Sequence, residues 1–390
     1  MKIEHPTIRN FHSRLNCACL TVCVLVGVIA TKVEAGYTFT LIADSTGPFS
    51  DFPSVSLSSS GTVAFSARFD GSGAGVFTGN GGALTTITTI ATPPSGIPFG
   101  PPSINQAGMV AFSAGDRILA GNGGPVVTIA DTAGQFKGFA SGYTASINAA
   151  GTVAFWALPA TGPAGIFASS AGTITPLFLN SAPLFANSSF SLNDAGTIAF
   201  QKSNGTGILT VASGSITTIA DSTGPLNYFG TAPSLNNAGT VAFAAGKNGQ
   251  DGGVFGIYKG NGGALTTIAD VSGPFSYFGD FYFNPPSING AGNVAFVANL
   301  DAGGGGLYIG DGTTTSEVIG VGDALFGSTV TGFAISLTSL NDSGQVAFAY
   351  GLANGTTGIA IASPVPEPSP SLLLALSLGL SLARRTTRKC

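Results

Sequence analysis

The sequence predicts an all-β chain, a seven-bladed β-propeller with four-stranded blades closed by an N-terminal strand, and three observations predict it. A ten-residue motif recurs seven times, each repeat is long enough for four short strands, and one strand signature stands at the start of the chain instead of its end. The motif reads "SLSSSGTVAF" ending at Phe65, "SINQAGMVAF" at Phe112, "SINAAGTVAF" at Phe155, "SLNDAGTIAF" at Phe200, "SLNNAGTVAF" at Phe243, "SINGAGNVAF" at Phe296 and "SLNDSGQVAF" at Phe348. Successive copies are 47, 43, 45, 43, 53 and 52 residues apart, the size of one propeller blade. An open β-solenoid is the alternative, and its coils are usually shorter.

Within each unit the first strand is Ser-Ile/Leu, closed by an Asn-x-x-Gly turn in which Asn bonds its own backbone and Gly takes positive φ. The second is Val-Ala-Phe, with a large aromatic alternating with a small residue, as a wedge between sheets requires. The third is of the type "GVFTGNGG" (Gly75 to Gly82) or "GIYKGNGG" (Gly256 to Gly263), and the fourth is of the type "TTIAD" (Thr217 to Asp221). "TFTLIAD" at Thr38 to Asp44 is a fourth strand without a preceding unit, whereas the last unit stops after three strands at "GIAIAS", Gly358 to Ser363. Pairing the two completes a seventh blade and leaves no open edge.

The ends lie outside the repeat. Lys2, Arg9 and Arg14 precede the apolar run Leu20 to Ala30 and the small-residue site Val33-Glu34-Ala35, so residues 1–35 read as a secretory signal peptide cut after Ala35. Its removal takes both histidines and three of the four cysteines, and Cys390 lies at the other end. The body, 36–363, therefore has no His or Cys. Disulfides, Cys or His metal sites and His-assisted nucleophiles are excluded from it. Six Lys and Arg against fifteen Asp and Glu give the body a net charge of −9, which repels nucleic acid.

The repeat Asn-x-x-Gly-x-Val/Ile-Ala-Phe resembles the tandem repeat of secreted bacterial proteins named for the NxxGxxAF motif, and is similar to repeats of TolB-like propellers. The first unit departs from it, with Ser58 in place of Asn, and the fourth strand of one unit is replaced by "TPLFLN", Thr175 to Asn180. The segment 364–390 resembles the PEP-CTERM sorting signal of Gram-negative bacteria. It carries Pro366-Glu367-Pro368, an apolar run Leu372 to Ala383, and a basic tail with Arg384, Arg385, Arg388 and Lys389. That resemblance implies processing by an exosortase after signal peptidase has acted, and release or anchoring at the cell surface or in exopolysaccharide. The membrane is then met only through this C-terminal segment, whose cationic end stays cytoplasmic.

Candidate sites follow from position in the repeat. Ser56, Ser103, Ser146, Ser191, Ser234, Ser287 and Ser339 stand five residues before the turn glycine, which places them near the axis. Packing is the simpler role for them and a ligand-binding hydroxyl ring the sharper one. Asp44, Asp131, Asp221, Asp270 and Asp323 end fourth strands, as Asx-turns would. No cofactor is expected; calcium in the loops Asp70 to Gly75 or Gly246 to Gly253 is the weaker alternative, since neither has an EF-hand pattern.

Loops joining blades are expected to carry aromatics, Phe49 and Phe52, Phe136 and Phe139, and Tyr228 and Phe229, and to plug the structure with them. The densest loop, Pro274 to Asn284, has a surplus in Tyr277, Phe281, Tyr282 and Phe283, rings suited to stacking on sugars. Two functions of different class are weighed: a non-catalytic surface or matrix protein that binds exopolysaccharide or an envelope partner, and a propeller glycan hydrolase or lyase using Asp carboxylates. The acids sit on repeated turns or in Gly loops, and Glu317 is the body's one Glu, which favours the binder.

Overall fold

The computed structural model describes residues 36–91, 99–139, 145–179, 189–202, 204–247, 256–278 and 284–366. They form only strands and turns, arranged as seven antiparallel sheets. Blade 1 contains Phe49–Leu57, Val63–Phe69, Ala74–Gly79 and Thr85–Ile90, hydrogen-bonded in that order. Blades 2 to 6 repeat the meander around the second strands Val110–Ala114, Val153–Pro159, Ile198–Gln201, Val241–Lys247 and Val294–Leu300. Blade 7 takes Ser328–Ala334, Val346–Leu352 and Thr357–Pro364 from the C-terminal part and Tyr37–Asp44 from the N-terminal part. The expected closure is therefore present, with Thr38 opposite Ser363 and Asp44 opposite Gly358.

The inner strand differs from expectation. Phe136–Phe139, Leu226–Phe229 and Phe275–Phe278 are strands paired to the second strand of their own blade, as is the Phe49–Leu57 segment, where interblade loops were expected. A bulge follows the first Phe, so both phenylalanines of Phe-x-x-Phe face inward, and Phe49, Phe136, Phe275 and Phe278 are buried.

Alternation along the second strands builds the core. Phe65, Phe112, Phe155, Phe200, Phe243, Phe296 and Phe348 are all fully buried. They join seven apolar clusters, each drawn from two neighbouring blades; Val63 and Phe65, for example, pack with Ala347, Ile359 and Ile361 of blade 7. The intervening Ala64 points the other way, against Val110 and Phe112 of blade 2. A two-residue period thus makes each strand fill one junction with a ring and the next with a methyl group. Each buried Phe contributes roughly 2 to 3 kcal/mol.

Candidate functional site

The axis is built by two polar rings. All seven serines of the motif are buried. The Ser56 hydroxyl accepts from Ile104 N–H at 3.3 Å, Ser103 from Ile147 at 3.2 Å, Ser146 from Leu192 at 3.3 Å and Ser234 from Ile288 at 3.1 Å, each bond crossing to another blade. Ser191 instead donates to the Pro233 carbonyl at 2.9 Å. Blade 7 keeps the pattern, with Leu340 N–H donating to Ser287 at 3.0 Å, and adds to it: its Leu337 carbonyl accepts from both Ser234, at 2.7 Å, and Ser287, at 3.1 Å. Six of the seven hydroxyls thus bond to another blade, which is the packing role, while Ser339 accepts from Ser336 N–H of its own blade at 2.8 Å.

The motif asparagines form a second ring that the sequence reading missed. Each Oδ1 closes its own turn, as when Thr152 N–H donates to Asn148 at 2.9 Å. Each Nδ2 then donates to the neighbouring blade's backbone: Asn105 to Asn148, Asn148 to Asn193, Asn193 to Asn236, Asn236 to Asn289, Asn289 to Asn341, and Asn341 to Ser58. The distances run from 2.9 to 3.3 Å. Ser58 closes its turn through its hydroxyl, which accepts from Thr62 N–H, but it has no amide to pass on, so blade 1 lacks the link to blade 2. Around this end of the axis lies a cavity of about 180 Å³, lined by Ser103, Ser146, Ser191 and Ser234 with the asparagine turns.

The strand-end aspartates serve turns. The Oδ1 atoms of Asp44, Asp131, Asp221 and Asp270 accept from the N–H groups of Thr46, Ala133, Thr223 and Ser272, two residues on. The Thr223 hydroxyl and N–H hold the Asp221 carboxyl below the usual carboxylate range. Asp323 departs from the expected Asx-turn: its Oδ2 reaches back to Gly320 N–H at 2.8 Å. The remaining turn acids are similarly engaged, Asp194 with Asn237 and Asp342 with Gly290 N–H. Among the described residues no three Asp, Glu, His or Cys side chains gather.

Of the candidate sugar-binding residues, Tyr277 is exposed, while Phe281, Tyr282 and Phe283 lie outside the described residues. Tyr228 is exposed at the same strand position in blade 5, a correspondence that aligning the Phe-x-Tyr-Phe and Leu-x-Tyr-Phe segments would have revealed. Pro366 is exposed two residues beyond the last strand; Ala35, Glu367, Pro368, Arg384 and Arg385 lie outside the described residues, as does most of the Gly246 to Gly253 loop.

A family of unknown function (DUF7453) matches residues 185–338. No curated protein sequence matches the chain. Among solved structures, the chain is similar to a catalytically inactive virginiamycin B lyase from Staphylococcus aureus with quinupristin, at 14% identity over 84% of this chain and 100% of that one, with a TM-score of 0.51. It is also similar to a puromycin-hydrolyzing peptidase from Mycobacterium tuberculosis, at 12% identity over 82% of this chain and 53% of that one, with a TM-score of 0.50. A putative TolB from Agrobacterium tumefaciens matches at 14% identity over 73% of this chain and 95% of that one, with a TM-score of 0.41. At these identities the first two likenesses establish the propeller fold and nothing of the chemistry.

Proposed function

We propose that the chain is exported, processed at both ends by signal peptidase and an exosortase, and acts at the cell surface or in the matrix as a non-catalytic propeller that binds exopolysaccharide. The observation that carries this reading is the pair of exposed tyrosines, Tyr228 and Tyr277, at one strand position in adjacent blades. Their neighbours Phe229, Phe275 and Phe278 are buried, so the rings left outside are the two that also carry a hydroxyl. A flat amphipathic ring is the surface on which a sugar stacks. The engagement of Asp44, Asp131, Asp221 and Asp270 in turns supports binding over chemistry by paired carboxylates.

The test compares retention of the purified protein on matrix polysaccharide from the producing cells with that of Y228A, Y277A and the double variant. Binding should fall in each single variant and vanish in the double one, while every variant still melts cooperatively, because both rings lie outside the core. Full retention by the double variant would remove the basis for this reading.

A further inference from the structure

One departure from the repeat brings two acids together. Four of the fourth strands place a Thr across from the third-strand residue that lies beside the core, Thr86 opposite Phe77, Thr128 opposite Leu119, Thr218 opposite Leu209 and Thr267 opposite Tyr258, while blade 3 has Pro176 and blade 7 has Leu41. In blade 6 this position is Glu317, opposite Tyr308. A Cβ on Gly306 would lie 2.8 Å from the Glu317 Oε1 and 3.0 Å from the Tyr308 hydroxyl. A Cβ on Gly320 would lie 2.5 Å from the same Oε1 and 3.5 Å from the Asp323 Oδ2. The carboxylates of Glu317 and Asp323 and the Tyr308 hydroxyl thus converge over two glycines whose missing side chains leave the room.

Tyr308 supplies the independent sign of a ligand. It is 5% exposed, yet its hydroxyl has no hydrogen-bond partner, and it points to where Glu317 ends. A buried hydroxyl without a partner is costly, and a ligand at this point would remove that cost. Burial and the two acids raise the tyrosine's pKa to about 12, so at neutral pH it offers a neutral oxygen. Glu317 and Asp323 are themselves exposed, which leaves the point open to solvent.

We propose that Glu317, Asp323 and the Tyr308 hydroxyl hold a divalent cation at the outer edge of blade 6, and that calcium is the ion they suit. Two carboxylates carry the opposite charge of the ion, and the donor set is all oxygen, without the nitrogen or sulfur that zinc prefers. Three protein groups leave several coordination positions to water, which places the affinity in the range of about 10⁻⁴ to 10⁻³ M found for extracellular modules. The ion would tie the fourth strand of blade 6, Thr315–Gly320, to the connection that leads into blade 7. Blades 5 and 7 show why one blade alone qualifies. Tyr258 and Tyr350 also have unpartnered hydroxyls, over Gly256 and Gly358, but the acid nearby is a single Asp, and Asp270 is shared with Lys247 at 3.9 Å.

The experiment uses the full chain with calcium or terbium as the only added ligand. Terbium bound beside Tyr308 should emit when tyrosine is excited, calcium should quench that emission by displacement, and millimolar calcium should raise the melting temperature. E317T installs the residue that blades 1, 2, 4 and 5 carry there and so keeps the fold; with D323N, it should weaken calcium binding at least about tenfold. Y308F should melt no lower than the parent without calcium, since it removes a buried hydroxyl that has no partner, and should lose most of the sensitised emission. Absence of both calcium responses in the parent protein, or responses in E317T equal to the parent's, would overturn the site.

Discussion

The junction between blades 4 and 5 and the junction between blades 2 and 3 are both bridged at the axis by a motif asparagine and a motif serine, and they finish differently at the outside. In the first, the Gly260 to Gly263 turn of blade 5 lies on the outer strand of blade 4. A Cβ on Gly262 would meet the Thr217 methyl at 2.9 Å, and Ile219 beneath it is buried. The same seat is filled at Gly123 against Thr85 and at Gly312 against Thr266, with Ile87 and Ile268 buried. Blade 3 instead turns through Ala171 and Gly172, both at positive φ, and Gly172 has nothing near it. Ile129 of blade 2 is left half-buried, Val127 is 58% exposed, and a groove of about 350 Å³ opens beside Met109 and Ala149. Both junctions keep the asparagine link and the serine link at the axis. The inner polar rings therefore bridge neighbouring blades whether or not the outside is sealed, and the glycine turn adds a seal that the junction of blades 2 and 3 does without, as does that of blades 3 and 4, where blade 4 turns through Ser213 and Gly214.

The strongest way to break this comparison is to remove residues 37–44. They are the fourth strand of blade 7 and also supply Ile42, against which Gly79 of blade 1 packs, so both an edge and a seal disappear. Loss of cooperative melting and aggregation during gel filtration are expected. A truncated chain that melts like the parent would show that the ring does not depend on closure.

Next in size is the axial link itself. N193A should cost about 1 to 3 kcal/mol, because it leaves the Thr197 N–H without its partner and removes the interblade bond to the Asn236 carbonyl, which keeps only Gly239 N–H, and chemical denaturation measures this directly. N105A removes the equivalent link at the unsealed junction. Amide exchange should therefore rise further around Asn105 and Asn148 than the N193A change raises it around Asn236. Equal exchange at the two junctions would mean that the seal contributes nothing to local opening.

Glycine changes separate backbone strain from the seal. G172A and G262A both put a side chain at positive φ, at about 1 kcal/mol, but only the second also meets a neighbouring blade. G262A should cost about 1 kcal/mol more. The reverse change, S58N, should add the absent seventh amide link and stabilise by up to about 1 kcal/mol. V127T restores the usual residue at the open junction; it should change stability by less than about 0.5 kcal/mol while lowering binding of an apolar dye.

Much of the architecture was legible because the repeat states one blade seven times. The Val-Ala-Phe alternation foretold which side chains are buried, and the displaced Thr38 to Asp44 signature foretold the closure, since an unpaired edge strand has one complementary place to go. Legibility ended where a residue's partner belongs to another blade. Asn-x-x-Gly reads locally as a turn, and nothing in one copy tells that its amide also bonds the next copy. The Phe-x-x-Phe segments read as loops because a bulge sends both rings to the same face, against the strict alternation of a regular strand.

The same division holds for the candidate sites. Sequence alone determined that the body has no His or Cys, that its charge is −9 and that Glu317 is its single Glu, because these are counts and do not depend on conformation. Only the tertiary structure decided that Tyr277 faces outward and that Glu317, Asp323 and Tyr308 meet, because antiparallel register sets Glu317 against Tyr308 and the turn after Gly320 folds Asp323 back. Proximity across strands arises from pairing and chain reversal, and a linear pattern carries that information only where every repeat obeys it.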